Sequence, residues 1–158
     1  MSMPSLSQLI ADRLAGAKES LSTAESCSGG LVAHRITDIS GSSAYFLGGV
    51  VSYSNHAKER LLGVPHDMLM AHGAVSEPVA RAMAEGARRV FGSDYAIGVT
   101  GIAGPTGGTP EKPVGLVYIA VATPARTIVT RNQFEGSRED VKEKTADAAL
   151  TLLLEQLR

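Results

Sequence analysis

The chain has 158 residues, with 15 Lys and Arg against 16 Asp and Glu and a net charge of −1. That length suits one domain spanning 1–158, and the balanced charge excludes a function resting mainly on an electrostatic grip of a nucleic-acid backbone. A composition 44% hydrophobic and 20% charged excludes a disordered chain.

There is no Trp, and Tyr and Phe number four and three, so the core must come from Val, Ile, Leu and Ala, with 17 Gly where backbones approach. No stretch reaches the ~18 apolar residues of a membrane span. Met1-Ser2-Met3-Pro4-Ser5 carries no basic and apolar leader. The single cysteine, Cys27, has no partner for an internal disulfide, which fits a reducing compartment. The expectation is a cytoplasmic protein.

Leu6, Leu9, Ile10, Leu14 and Ala17 recur at helical spacing and predict a helix over Ser5–Lys18. Ser20–Ala24 reads as a short strand, followed by the small polar turn Glu25-Ser26-Cys27-Ser28-Gly29-Gly30 and a helical run from Leu31 to about Asp38. Gly41-Ser42-Ser43 breaks the chain. Tyr45–Ser52 is an apolar strand whose glycine pair predicts a bulge or close packing, with Tyr53 at its end. A short helix around His56–Leu62 and a turn at Val64-Pro65 follow. Ser76-Glu77-Pro78 starts the next helix with a hydroxyl cap, an acid and a first-turn proline; Val79, Met83 and Val90 mark its buried side.

Tyr95–Thr100 is a strand and Gly101–Lys112 a Gly/Pro-rich loop. Val114–Ala122 and Thr127–Phe134 are strands around a turn at Thr123-Pro124-Ala125. Ser137 caps a last helix, with Asp140 placed as in a capping box and Val141, Thr145, Ala148, Leu152 and Leu153 facing inward. Interleaved helices and strands predict a three-layer α/β/α sandwich. The strands flanked by helices should pair in parallel and the last two antiparallel, so a mixed sheet is expected.

Three segments carry chemistry. In Thr23–Gly30 a strand end leads through small residues into a helix, which suits an anion; the plain alternative is an ordinary turn capped by Ser28. Glu25 there can hold a ribose hydroxyl or orient a catalytic group. Cys27 is either a nucleophile or a small buried residue. The second segment, Gly98–Pro110, leaves a strand as phosphate loops do, yet its glycines follow neither the dinucleotide fingerprint nor a P-loop.

The third segment is Ser42-Ser43, Tyr53 and Lys58. Amide hydrolysis needs an activated nucleophile or metal-bound water, a base and oxyanion donors. The four histidines, His34, His56, His66 and His72, form no H-x-H or H-E-x-x-H pair. A Ser-Lys pair needs no histidine, because a buried lysine loses its proton readily, and an intervening tyrosine can relay the proton. The alternative is that Ser43 caps a turn, Tyr53 packs and Lys58 is a solvated charge. Arg138, in the first turn of the last helix, opposes the helix dipole; it either grips an anion or pairs locally with Glu139 and Asp140.

Thr-Ala-Glu-Ser-Cys-Ser-Gly-Gly, Gly-Ser-Ser-Ala-Tyr-Phe-Leu-Gly-Gly-Val-Val-Ser-Tyr, Gly-Val-Thr-Gly-Ile-Ala-Gly-Pro and Gly-Gly-Thr-Pro-Glu-Lys-Pro-Val-Gly resemble, in order, the motifs of the CinA C-terminal domain family. That family includes bacterial nicotinamide mononucleotide deamidases. The resemblance runs from about Leu6 to the end. It implies a mixed sheet of about five strands in a three-layer fold similar to anticodon-binding domains. It also implies hydrolysis of the nicotinamide mononucleotide carboxamide to nicotinate mononucleotide and ammonia, with no metal or organic cofactor.

Carried over by motif, Ser43 would be the nucleophile, Lys58 the general base and Tyr53 the relay or Lys58 partner. Thr100 and the backbone after it would lie beside the substrate, with Arg138 nearby. Helix-end physics, rather than the resemblance, gives Glu25, Ser26, Ser28, Gly29, Gly30, Gly101, Gly104, Gly107, Gly108 and Thr109 the task of holding ribose and phosphate. Ser28 stands where the family usually has Thr. Without the N-terminal domain of fused CinA proteins, the chain resembles the stand-alone deamidase. The rival expectation is a non-catalytic nucleotide-binding or regulatory domain, since some relatives keep the fold without the activity. The partner expected is the small-molecule substrate, with no nucleic acid and no membrane; a homodimer is compatible with the family.

Overall fold

The computed structural model describes residues 3–157. The elements in chain order are α1 (Leu6–Ala17), β1 (Leu21–Glu25), α2 (Leu31–Thr37), a 3-10 turn (Ser42–Ala44), β2 (Phe46–Val51), α3 (Asn55–Leu62), α4 (His66–His72), α5 (Glu77–Phe91), β3 (Tyr95–Gly101), β4 (Leu116–Ala122), β5 (Thr127–Gln133) and α6 (Arg138–Gln156). The caps sit where short polar side chains permit them. Ser5 and Ser54 accept the Gln8 and Ala57 amides at 3.1 and 3.0 Å. At α6 the predicted capping box forms: the Asp140 amide donates to Ser137 Oγ at 3.2 Å and the Ser137 amide to the Asp140 carboxylate at 2.9 Å. The Ser137 amide, and after it the Ser137 hydroxyl, favour the charged carboxylate and hold Asp140 below the usual carboxylate range.

The strands form one sheet in the order β2-β1-β3-β4-β5. β1 pairs in parallel with β2 and β3, while β3–β4 and β4–β5 are antiparallel, the mixed five-stranded sheet expected. β2 carries the predicted irregularity: Leu21 faces Phe46 but Ser22 faces Gly48, so Leu47 is the extra residue. Close packing accompanies it, because a Cβ on Gly48 (φ +151°) would lie 2.6 Å from the Phe91 ring.

α1, α2 and α6 cover one face of the sheet and α3, α4 and α5 the other. The two faces differ in residue size for a physical reason. Under α1, α2 and α6 lie Leu21, Ile97, Val99, Val117, Ile119 and Val121. Under α5 lie Ala24, Ala96, Gly98, Ala120 and Ala122, so the helix backbone can come down onto the strands. A Cβ on Gly98 would sit 2.7 Å from both the Ala80 carbonyl oxygen and the Ala84 nitrogen. Gly98→Ala should therefore lower stability by about 1–3 kcal/mol in urea unfolding; an unchanged midpoint would mean that α5 rides up freely.

Two local expectations are corrected. Val90 is 53% exposed rather than buried, because the adjacent Phe91 is the residue that turns back onto β2 at the end of α5. Ser76 does stand at the N-cap of α5, but its hydroxyl donates to the Gly73 carbonyl at 2.9 Å and caps no helix amide.

The topology places the site. From β1 the chain runs through α2 on one face to β2; from β2 it returns through α3, α4 and α5 on the other face to β3. The segments leaving the carboxyl ends of β1 and β2 therefore diverge to opposite faces, and a crevice opens at the carboxyl ends of the parallel strands, the place where open α/β sheets bind ligands. Among the described residues no helix is long and apolar enough to cross a membrane.

Candidate active site

Ser26 is the first residue beyond β1, held in line by its amide, which donates to the Val99 carbonyl at 3.0 Å. Lys58 lies on α3, whose start is fixed by the Ser54 cap. Its side chain is 2% exposed, an unusual place for an ammonium. Lys58 Nζ donates to the Ser52 carbonyl at 2.6 Å and lies 3.0 Å from Ser26 Oγ. The Ser52 amide in turn donates to the Glu25 carbonyl at 2.8 Å, so β1, β2 and α3 close a ring of bonds around the amine. No carboxylate among the described residues pairs with it. Burial without a counter-charge pushes Lys58 below the ordinary lysine value.

The amine and hydroxyl open into a cavity of about 270 Å³ at the carboxyl ends of β1 and β3. Thr100, Gly101, Gly104 and Gly107 line it from the β3 side, and Tyr53 and Arg138 stand at its margin. Thr100 fixes a wall, its hydroxyl donating to the Ala74 carbonyl at 2.9 Å. Arg138 ties the margin together, one guanidinium nitrogen donating to Tyr53 Oη and the other to the Gly104 carbonyl, both at 2.7 Å. Cys27 also lines the cavity, but burial pushes its thiol up to about 12. It stays a thiol at neutral pH, the less reactive form. Among the described residues no three His, Cys, Asp or Glu side chains group so as to hold a metal ion.

Several expected site residues lie elsewhere or do something else. Ser43 is exposed, in the 3-10 turn before β2. That turn sits beside the start of β1, where the Leu21 amide donates to the Tyr45 carbonyl at 2.8 Å. Because β1 and β2 run parallel, Ser43 and Lys58 are at opposite ends of the sheet, roughly 20 Å of strand apart. Lys58 meets Ser26 instead. Tyr53 touches Arg138, not Lys58, and is 61% exposed, so it is no proton relay between serine and lysine.

Glu25 and Ser28 are buried and bonded to each other. The Glu25 carboxylate accepts the Ser28 hydroxyl and the Val32 and Ala33 amides, at 2.6, 2.9 and 3.0 Å. Ser28, Gly29 and Gly30 line a neighbouring cleft of about 590 Å³ between α2 and the start of α6. Gly108 and Thr109 line neither; Thr109 closes a turn by accepting the Lys112 amide at 3.0 Å.

The residues missed are Asn55, Ala74, Val75, Ile102, Ala103 and Thr106, all on the cavity wall. Asn55 had a signal, since it precedes Lys58 by three on one helix and so shares its face. Ala74 and Val75 had none, because they reach the site only through the packing of α5 onto β3.

Residues 3–157 match the CinA C-terminal domain. A CinA-like protein of Anaeromyxobacter sp. (strain K) is 54% identical over 153 residues, covering 97% of this chain and 38% of its own length. One from Geobacter sulfurreducens is 58% identical over 137 residues, covering 87% and 33%. The chain thus spans about a third of the length of these curated relatives. Among solved structures, the competence/damage inducible protein CihA from Agrobacterium tumefaciens superposes with a TM-score of 0.93 at 39% identity, covering 98% of each chain. A competence-damaged protein (CinA) superfamily protein from Escherichia coli does so with a TM-score of 0.93 at 31% identity, covering 99% and 95%. The chain, matched along nearly its whole described length in both sequence and fold, belongs to the CinA C-terminal domain family.

Proposed function

We propose that the chain is a Ser/Lys amidohydrolase that releases ammonia from nicotinamide mononucleotide, with Ser26 as nucleophile and Lys58 as general base. The observation that carries the reading is a lysine buried without a counter-charge, 3.0 Å from a hydroxyl at the bottom of a cavity. A lysine with a depressed pKa beside a serine is the arrangement that nucleophilic catalysis without histidine requires. The substrate comes from the four motifs shared with the nicotinamide mononucleotide deamidases.

Neutral Lys58 keeps one N–H on the Ser52 carbonyl, which aims its lone pair at Ser26. The lone pair takes the hydroxyl proton as Ser26 Oγ bonds to the carboxamide carbon, whose C=O electron pair moves to oxygen. The Cys27 amide, which donates to no other residue among those described, is available to that oxyanion. The Lys58 ammonium then gives its proton to the departing nitrogen, the C–N bond breaks and ammonia leaves an acyl-serine. A water deprotonated by Lys58 attacks the ester and returns the proton to Ser26, releasing nicotinate mononucleotide. The pyridinium ring already withdraws electrons from the carbonyl, so no external electrophile is invoked.

Arg138 supplies a cation at the mouth, where a phosphate can replace Tyr53 and Gly104 as its partner. Arg138→Ala should raise KM for nicotinamide mononucleotide about tenfold or more, with a smaller change in kcat. An unchanged KM would remove Arg138 from the phosphate. The direct test of the function is ammonia release on adding nicotinamide mononucleotide to the purified protein. Tight binding with no ammonia would favour a nucleotide-binding domain without turnover.

A further inference from the structure

We infer that Glu25 is the positioning residue for Ser26: a carboxylate that never meets substrate but fixes the nucleophile by capping the helix after it. The inference rests on Ser26 being the nucleophile. Glu25 is 1% exposed and lines neither the catalytic cavity nor the neighbouring cleft. Its oxygens take three donors and no acceptor: the Ser28 hydroxyl and the Val32 and Ala33 amides. The N-cap of α2 is Gly30, in the left-handed region at φ +102°, with no side chain to offer the first-turn amides. Glu25, five residues upstream, does that work.

The consequence falls on the nucleophile. Ser26–Gly30 becomes a short loop whose start and finish are tied by one residue. The Glu25 main-chain carbonyl is bound to the Ser52 amide, beside the carbonyl that holds Lys58 Nζ, and the Glu25 carboxylate is bound to α2. Inside the loop the Ser26 carbonyl accepts the Gly29 amide at 3.0 Å. With the helix start released, Ser26 keeps its main-chain bond to the Val99 carbonyl, but the loop that sets the direction of its hydroxyl toward the amine loses its far anchor. A neutral amide cannot replace the acid, because its NH2 would face an N–H donor.

A phosphonofluoridate probe reads Ser26 reactivity without nicotinamide mononucleotide. Ser26 Oγ bonds to phosphorus, fluoride leaves and Lys58 takes the proton. In Glu25→Gln, shown by circular dichroism to be folded, labelling should slow about tenfold or more. Ile10→Val, a core change on α1, should keep the wild-type labelling rate even where it lowers the melting temperature as much. Should Glu25→Gln not fold, Glu25→Asp replaces it: its shorter carboxylate keeps the charge but cannot span both amides, and its labelling should also be slowed. Wild-type labelling by the folded variant, or equal slowing by Ile10→Val, overturns the inference. A wild-type protein labelled at Ser26 yet releasing no ammonia would overturn the proposed substrate and leave Glu25 in this role. A wild-type protein not labelled at Ser26 would overturn both the nucleophile and the inference.

Discussion

Ser26→Ala should abolish ammonia release from nicotinamide mononucleotide, a loss of about ten-thousandfold or more, while Ser43→Ala stays near the wild-type rate. The two serines make the comparison sharp because they occupy opposite ends of the same parallel strand pair. Only Ser26 Oγ has an amine within reach, at 3.0 Å. Ser43 is solvated in a turn at the amino end of β2. Removing the Ser26 hydroxyl leaves Lys58 bound to the Ser52 carbonyl and leaves the Glu25 cap of α2 untouched, so the variant should keep its circular dichroism and melting temperature. The measurement is steady-state ammonia release by both variants beside the wild type. Full activity in Ser26→Ala, or loss of activity in a folded Ser43→Ala, would move the nucleophile elsewhere.

How much of this is legible in the chain depends on whether the information is local. Strand and helix positions are, because side-chain period and caps act over a few residues: Ser137 and Asp140 form their box, and β4 and β5 pair across the short turn as a hairpin should. The irregularity in β2 is legible from its two glycines. The identity of the nucleophile is not. Ser43 and Ser26 are both small hydroxyls near strand ends. What separates them is that β2 lies parallel to β1, so the start of one strand is beside the start of the other.

Glu25 is a second case. An acid beside a serine in a turn of small residues looks like a ligand group, and nothing local says that Gly30 leaves α2 without a side-chain cap. That assignment needs the amides of Val32 and Ala33 to be turned back onto the end of β1, a tertiary fact. Lys58 stands between these cases. Its motif marks it, but its solvated alternative falls only when its burial is seen.

Lys58→Met carries the other large effect: ammonia release should fall about a thousandfold or more, with the fold retained. The pH behaviour of the wild type follows from the same amine. Catalysis needs the neutral form, so kcat/KM should rise with pH and level off above the Lys58 pKa, which burial places below the ordinary 10.5. Stability has the same sign. Between the depressed native value and the ordinary value of the unfolded chain, the unfolded state binds a proton that the native state does not, so unfolding free energy rises with pH across that window. Below the native value the whole cost of burying the ammonium is present. Methionine removes that cost, while leaving the Ser52 carbonyl without its 2.6 Å donor, a loss of about 1–3 kcal/mol for a buried acceptor. The two changes oppose each other, so the melting temperature should stay within a few degrees of wild type at neutral pH, and its rise with pH over the alkaline window should flatten. A Lys58→Met protein that keeps its ammonia release, or a wild-type rate flat from acid to alkaline pH, would show that no proton passes through this amine.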